Sequence, residues 1–197
     1  YNGEEIKKNI SQLDRVVILF NHRSWLDFML AQLALDKPVG RLSRYLVIII
    51  VPIGYLVGRF SPWVFVCFNR GNKNKTKLLK KINSLLDKAF SKTSFFGGYP
   101  EGHRNTGPGT LRLKKGFIRY AYERKIPIAF ILHTNQDAVI NKKKLIIKKN
   151  IKVYGQYMGP YYSEGYDDFS SYYQFVCDEF KSGYEALVIS MPYTEEK

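Results

Sequence analysis

The strongest constraint on this chain is an alternation of short, wholly apolar runs with stretches that are apolar on one side only. Val16–Phe20 is five consecutive apolar residues, rich in β-branched side chains, and it stops at the polar cluster Asn21-His22-Arg23-Ser24. A run with no polar alternation predicts a strand covered on both faces. Lys77–Phe90 has the other pattern: Leu78, Leu79, Ile82, Leu85, Leu86, Ala89 and Phe90 recur at helical spacing, with Lys77, Lys80, Lys81 and Lys88 mostly toward the other face. Extended along the chain, the spacing predicts helices over 24–35, 113–124 and 167–187. Further strands are predicted over 45–50, 64–68, 94–99 and 126–132, and over 145–147 and 151–157 as a closing pair. Strand–helix alternation with buried strands predicts an α/β fold, with a mainly parallel central sheet flanked by helices. At 197 residues the expectation is a single domain over 1–197, with a core at about 16–160 and a terminal helix at about 167–187.

Composition excludes a disordered or fibrous chain, since 45% of residues are hydrophobic and 24% charged. The net charge of +14 calls for a phosphate-bearing partner: nucleic acid, anionic lipid or a phosphorylated substrate. The charge is uneven. Residues 1–163 hold 29 bases and 9 acids, whereas 164–197 hold 2 bases and 8 acids. Lys142–Lys152 adds six lysines without an acid, a pattern for a hairpin edge.

The most apolar stretch, Tyr45–Gly58, is 14 residues long and broken by Pro52 and Gly54, too short to span a bilayer as a helix. The two cysteines, Cys67 and Cys177, sit in apolar surroundings without a thiol or histidine at metal spacing, and read as core thiols. His133 closes a predicted strand and reads as structural. The aromatic stretch Tyr154–Tyr173 serves either an interface or acyl cleft or, more plainly, the packing of the terminal helix.

Two segments carry chemistry. Asn21-His22-Arg23-Ser24-Trp25-Leu26-Asp27 follows the first strand and opens a helix. A histidine with a carboxylate nearby is a general base whose tautomer is set by that carboxylate. Five residues of continuous helix would put His22 and Asp27 on different faces, so they meet only if His22 lies in the turn and Asp27 in the first helical turn. Ser24-x-x-Asp27 is also a capping-box pattern, which leaves Asp27 a purely local alternative. The second segment, Tyr99-Pro100-Glu101-Gly102-His103-Arg104, runs into the glycine-rich Asn105–Gly109. Such a loop with a guanidinium suits phosphate; a surface turn with a Glu–Arg pair is the plain alternative.

Taken in order, these segments resemble the glycerolipid acyltransferase family, which includes the lysophosphatidate and glycerol-3-phosphate acyltransferases. His22-x4-Asp27 is similar to its first block. Val51-Pro52-Ile53-Gly54-Tyr55 leading to Val64–Arg70 is similar to its second. Tyr99–Arg104 followed by Lys114-Lys115-Gly116-Phe117 is similar to its third, and Ile126-Pro127-Ile128 to its fourth. The third block departs from the family at His103, where threonine is usual.

The resemblance implies an O-acyltransferase of the 1-acylglycerol-3-phosphate type, with an α/β fold like that of glycerol-phosphate acyltransferases. A fatty acyl chain would pass from acyl-CoA, or acyl carrier protein, to the free hydroxyl of a lysophospholipid such as lysophosphatidate. It implies His22 as base and Asp27 as its orienting partner. Arg104, with Arg70 and the Gly102 backbone, would hold the acceptor phosphate, and Glu101 would position Arg104 or the glycerol. No cofactor or metal is expected beyond acyl-CoA as co-substrate. The expected setting is an anionic membrane of the endoplasmic reticulum or mitochondrion, reached peripherally or through a segment upstream of Tyr1. One alternative is an acyltransferase-like structural subunit of a membrane assembly. Nucleic acid is not an expected partner, because no recognised nucleic-acid motif accompanies the charge.

Overall fold

A computed structural model of the protein describes residues 8–10, 12–24, 27–35, 39–44, 65–68, 75–141, 146–148 and 151–191. Val16–Phe20 forms strand β1, with all five residues buried as the apolar run predicts. It is followed by helix α1 (Asp27–Leu35), β2 (Gly40–Arg44), β3 (Phe65–Phe68), α2 (Lys75–Phe90), β4 (Phe95–Gly98), α3 (Lys115–Glu123) and β5 (Ile128–Thr134). Two short strands β6 (Ile140–Asn141) and β7 (Ile146–Ile147) precede β8 (Tyr154–Tyr161) and the long helix α4 (Phe169–Ser190).

Six strands form one sheet in the order β3-β2-β4-β1-β5-β8. The first five are parallel, and β8 pairs antiparallel to β5. From β1 the chain steps outward to β2 and β3, then returns through β4 to β5. Right-handed crossovers put connections of opposite direction on opposite faces. The packing agrees: Ala31, Ala34 and Leu35 of α1 bury against Ile18 and Phe20 on one face. Leu86, Ala89 and Phe90 of α2, Phe117 and Ile118 of α3, and Val176 and Phe180 of α4 cover Val17, Leu19 and Phe130 on the other. The side of α2 expected to serve the sheet does so, and Lys77, Lys80, Lys81 and Lys88 are exposed. Asp87 of α2 accepts from Arg124 and from the Tyr120 hydroxyl at the end of α3.

One expectation falls outside the described residues and another changes. Tyr45–Ile50, predicted as a strand, lies outside the described residues, as does the rest of Tyr45–Gly58. The strand that follows α1 in the structure is Gly40–Arg44, which its polar composition conceals: Arg41, Ser43 and Arg44 give no apolar run to detect. The segments 145–147 and 151–157 do not pair with each other. Ile146–Ile147 pairs with Ile140–Asn141 in a separate hairpin, whereas 154–161 adds to the edge of the main sheet. The open edge of β5 offers an eight-residue partner a full ladder, which a two-residue strand cannot match. Tyr154, Tyr161, Tyr166, Phe169, Tyr172 and Tyr173 pack into or against the α4-side core, the plain account of the aromatic stretch. Cys177 packs there too, half-buried; the Cys67 side chain is outside what is described.

Gly97 in β4 is required by a close approach. A Cβ there would stand 2.6 Å from Phe20 Cε2 and 3.2 Å from Val39 Cγ1. We expect Gly97→Ala to lower unfolding free energy by about 1–3 kcal/mol, as overpacking does, measured as a reduced urea midpoint at unchanged slope.

Candidate active site

Strand register brings the two motif loops together. Leu19 pairs with Gly98, so the chain leaves both strands side by side, as Asn21-His22 and as Tyr99-Pro100-Glu101. The helices that follow these adjacent strands lie on opposite faces of the sheet. In open α/β sheets, the crevice beyond the strand ends at such a point is where ligands bind.

His22 stands in the turn ahead of α1, and its Nδ1 lies 2.8 Å from Asp27 Oδ2. The same oxygen accepts the backbone N–H of Arg23 at 2.6 Å and of Ser24 at 2.8 Å. Asp27 therefore does both things the sequence left open. It sends a carboxylate back to the backbone before the helix, as in a capping box, and it meets the histidine. An oxygen already taking two N–H donors acts as a carboxylate, so the third contact requires the proton on Nδ1. Nε2 is then the basic nitrogen. The His22 side chain is 25% exposed while Asp27 is 3% exposed, so the ring's outer edge reaches the crevice and its partner does not. Tyr99 stacks on the imidazole, with ring centroids 4.4 Å apart and planes 30° apart. Burial pushes the Tyr99 hydroxyl well above its ordinary range, so it stays neutral, and the nearby buried Arg41 only partly offsets this.

The second loop grips the main chain of His22. Glu101, 1% exposed, accepts the His22 N–H on Oε2 at 2.7 Å and the Leu111 N–H on Oε1 at 2.8 Å. Asn105 donates its N–H to the His22 carbonyl at 2.7 Å. Both backbone groups of the histidine are thus held by the Glu101–Asn105 loop. Burial raises the Glu101 carboxyl above its usual range, and the two N–H donors oppose that rise. The loop turns by a Gly102 N–H to Tyr99 carbonyl bond, with Gly102 at φ 78°, where a side chain would be strained. Farther along, the Asn105 side chain closes the loop by accepting from Gly107 N–H and donating to the Gly109 carbonyl.

Of the residues singled out in the sequence, His22, Asp27, Glu101 and Gly102 come together here, and Arg104 belongs to the same loop. Arg104 lies half-buried between exposed His103 and buried Asn105. Arg70, together with Pro52 and Gly54 of the second block, lies outside the described residues. Three contributors escaped sequence reasoning. Asn21 accepts from and donates to the His133 backbone at 2.8 Å each way, tying the end of β1 to β5. Asn105 clamps His22. Arg23 donates to the Gly107 carbonyl at 3.0 Å and to Asp137 at 3.3 Å, with its guanidinium 5.8 Å from the centre of the Tyr184 ring. All three partner sets are distant in sequence, so no local spacing could reveal them. Arg23 also borders a cavity of about 640 Å³ between the 108–109 loop, the turn after β5 and the last turns of α4. Among the described residues, no group of His, Cys, Asp or Glu could hold a metal ion, and no helix is long and apolar enough to cross a membrane.

A twisted, mainly parallel sheet with a histidine–carboxylate pair at its switch point defines an α/β protein built for ligand chemistry at the strand ends. The family model described as Acyltransferase matches residues 4–133, and the chain belongs to that family. It is 34% identical over 116 residues to "Putative 1-acyl-sn-glycerol-3-phosphate acyltransferase acl-1" of Caenorhabditis elegans, a match covering 57% of this chain and 41% of that protein. The chain thus spans about two fifths of the length of that curated relative. Its fold is similar to the crystal structure of the 1-acyl-sn-glycerophosphate (LPA) acyltransferase PlsC from Thermotoga maritima. The TM-score is 0.65 at 18% identity, covering 98% of this chain and 81% of that one.

Two outcomes are expected. In Glu101→Gln one of the two backbone N–H groups faces an amide NH₂ instead of an acceptor. Stability should fall by about 1–3 kcal/mol, read by urea unfolding. His133 is buried, and desolvation lowers its imidazole to about 4, with Asp27 pulling the other way. The unfolded chain binds that proton near the ordinary value, so this contribution to stability is full above about pH 6.5 and is lost as pH falls toward 4. His133→Gln should flatten the fall of the thermal midpoint across that window.

Proposed function

We propose that this protein is an O-acyltransferase that moves a fatty acyl chain from a thioester, acyl-CoA or acyl carrier protein, to the free hydroxyl of a lysophospholipid such as lysophosphatidate. The observation that carries this is the His22–Asp27 pair, with Nδ1 engaged, Nε2 toward the crevice and the His22 backbone held by the Glu101–Asn105 loop. The names of acl-1 and PlsC point to the same acceptor chemistry.

In this mechanism Nε2 of His22 takes the proton of the acceptor hydroxyl, while Asp27 stabilises the imidazolium. The oxygen attacks the thioester carbonyl carbon, a new C–O ester bond forms and the C–S bond breaks. The thiolate leaves and takes up the proton from His22. No side-chain nucleophile and no cofactor enters. Arg104 holds the acceptor phosphate, with Arg70 as a further cation; the Gly102 N–H, expected to share this role, is spent on the Tyr99 carbonyl, so Gly102 shapes the loop instead. Glu101 acts through His22, since both of its oxygens are spent on backbone N–H groups. The reaction takes place at an anionic membrane surface, which the net charge of +14 favours. The exposed lysines of α2 and the exposed Phe28, Met29 and Leu33 of α1 cover opposite faces of the sheet, so one flat bilayer meets only one of these sets.

In a purified assay with acyl-CoA and lysophosphatidate, His22→Ala should reduce turnover by about 10²–10⁴-fold; unchanged turnover would remove His22 as the base. Arg104→Ala should raise KM for the phosphorylated acceptor by more than it raises KM for the donor. A wild-type protein with no transfer activity, recovered stoichiometrically in a membrane complex, would favour the structural-subunit alternative.

A further inference from the structure

The cavity beside Arg23 is not used by the proton-transfer chemistry, yet both motif loops border it. Arg23 is the neighbour of His22, and Pro108 and Gly109 belong to the loop that clamps the His22 carbonyl through Asn105. At about 640 Å³ it falls in the size range of small-molecule sites. Its lining selects among the parts of the substrates.

The charged lining residues are Arg23, Asp137 and Glu185, one base against two acids, in a protein of net charge +14. Arg23 is moreover already committed to Asp137 and to the Gly107 carbonyl. A phosphate placed here would meet net negative charge, so the phosphorylated ends of both substrates belong elsewhere. A bare alkyl chain fits poorly for the opposite reason, because it would strip water from carboxylates it cannot repay. The wall from the last turns of α4 carries Glu185 among the apolar Tyr184, Val188 and Ile189, the last 80% exposed, and the turn after β5 contributes Thr134, Asn135 and Asp137. Polar acceptors interspersed with apolar surface suit a neutral, extended chain that carries N–H and O–H donors along an aliphatic frame.

We infer that this cavity receives the amide-bearing pantetheine arm of the thioester donor, laid between Thr134, Asn135 and Asp137 of the turn after β5 and the Tyr184–Ile189 turns of α4. The inference rests on the acyltransferase reading. The arm is common to coenzyme A and to an acyl carrier protein, and the cavity recognises what the two share. Arg23 then links the donor site to the catalytic pair, since its backbone N–H bonds Asp27 and its guanidinium borders the cavity.

The test uses Val188→Trp and Ile189→Trp, each of which adds an indole to the α4 side of the cavity, the second from an 80% exposed position where packing is least disturbed. Each is assayed with acyl-CoA, with acyl carrier protein carrying the same acyl group, and with the acyl thioester of N-acetylcysteamine, which lacks most of the arm. Donor KM should rise about tenfold for acyl-CoA, for the carrier protein, or for both, which identifies the source of the arm. KM for lysophosphatidate and kcat/KM with the truncated thioester should stay within about twofold of wild type. An equal loss with all three donors, a loss expressed in the acceptor KM, or no change in either variant while the wild type turns over would overturn the inference. A wild type inactive with every donor would overturn the acyltransferase reading itself, and the donor site with it.

Discussion

The candidate site depends on one buried carboxylate. Glu101 has almost no contact with water, its ionised form is disfavoured by burial, and both of its oxygens accept backbone N–H groups from segments 79 and 10 residues away. Charge-assisted bonds of this kind are stronger than neutral ones and costly to leave unmade. The cost of burying Glu101 is therefore tied to one arrangement of the loops, the one with His22 against the Glu101–Asn105 segment. The rest of the site follows from that docking. Asp27 fixes the ring, Tyr99 stacks on it, and Asn21 anchors the end of β1 to β5.

The division of labour among carboxylates follows from burial and geometry. Asp27 faces an imidazole and two backbone donors, so it holds the ring by Nδ1 and caps the helix start together. Glu101 faces only backbone and acts by position. Asp137 pairs with Arg23 at the margin of the cavity. Among the five parallel strands, the two neighbours β1 and β4 send their helices to opposite faces, so the crevice at their ends opens without a gap in the sheet.

Sequence and structure agree where a residue's surroundings are set by its near neighbours. The all-apolar Val16–Phe20, the one-sided Lys77–Phe90 and the Phe95–Gly98 strand running into Pro100 are local patterns, and each is found within about two residues of its expected bounds. They fail where tertiary packing overrides composition. Gly40–Arg44 carries two arginines and a serine, yet it is an inner strand because β3 and β4 flank it. Arg41 is buried there, with desolvation lowering its guanidinium from the ordinary range. The pairing of β8 with β5 likewise depends on an edge left open elsewhere in the chain.

The sequence by itself determined the α/β class and the order of the motif loops, because periodicity and short spacings are local. It left Asp27 poised between cap and catalytic partner, and it assigned Glu101 toward the substrate. Only the tertiary structure decided that Asp27 serves both ends and that Glu101 spends its charge on the His22 backbone. It alone placed Arg23 between the His22–Asp27 pair and the cavity beside α4. The physical reason is the parallel register of β1 with β4: strand pairing across some 80 residues of chain sets which loops meet, and no local pattern encodes that meeting.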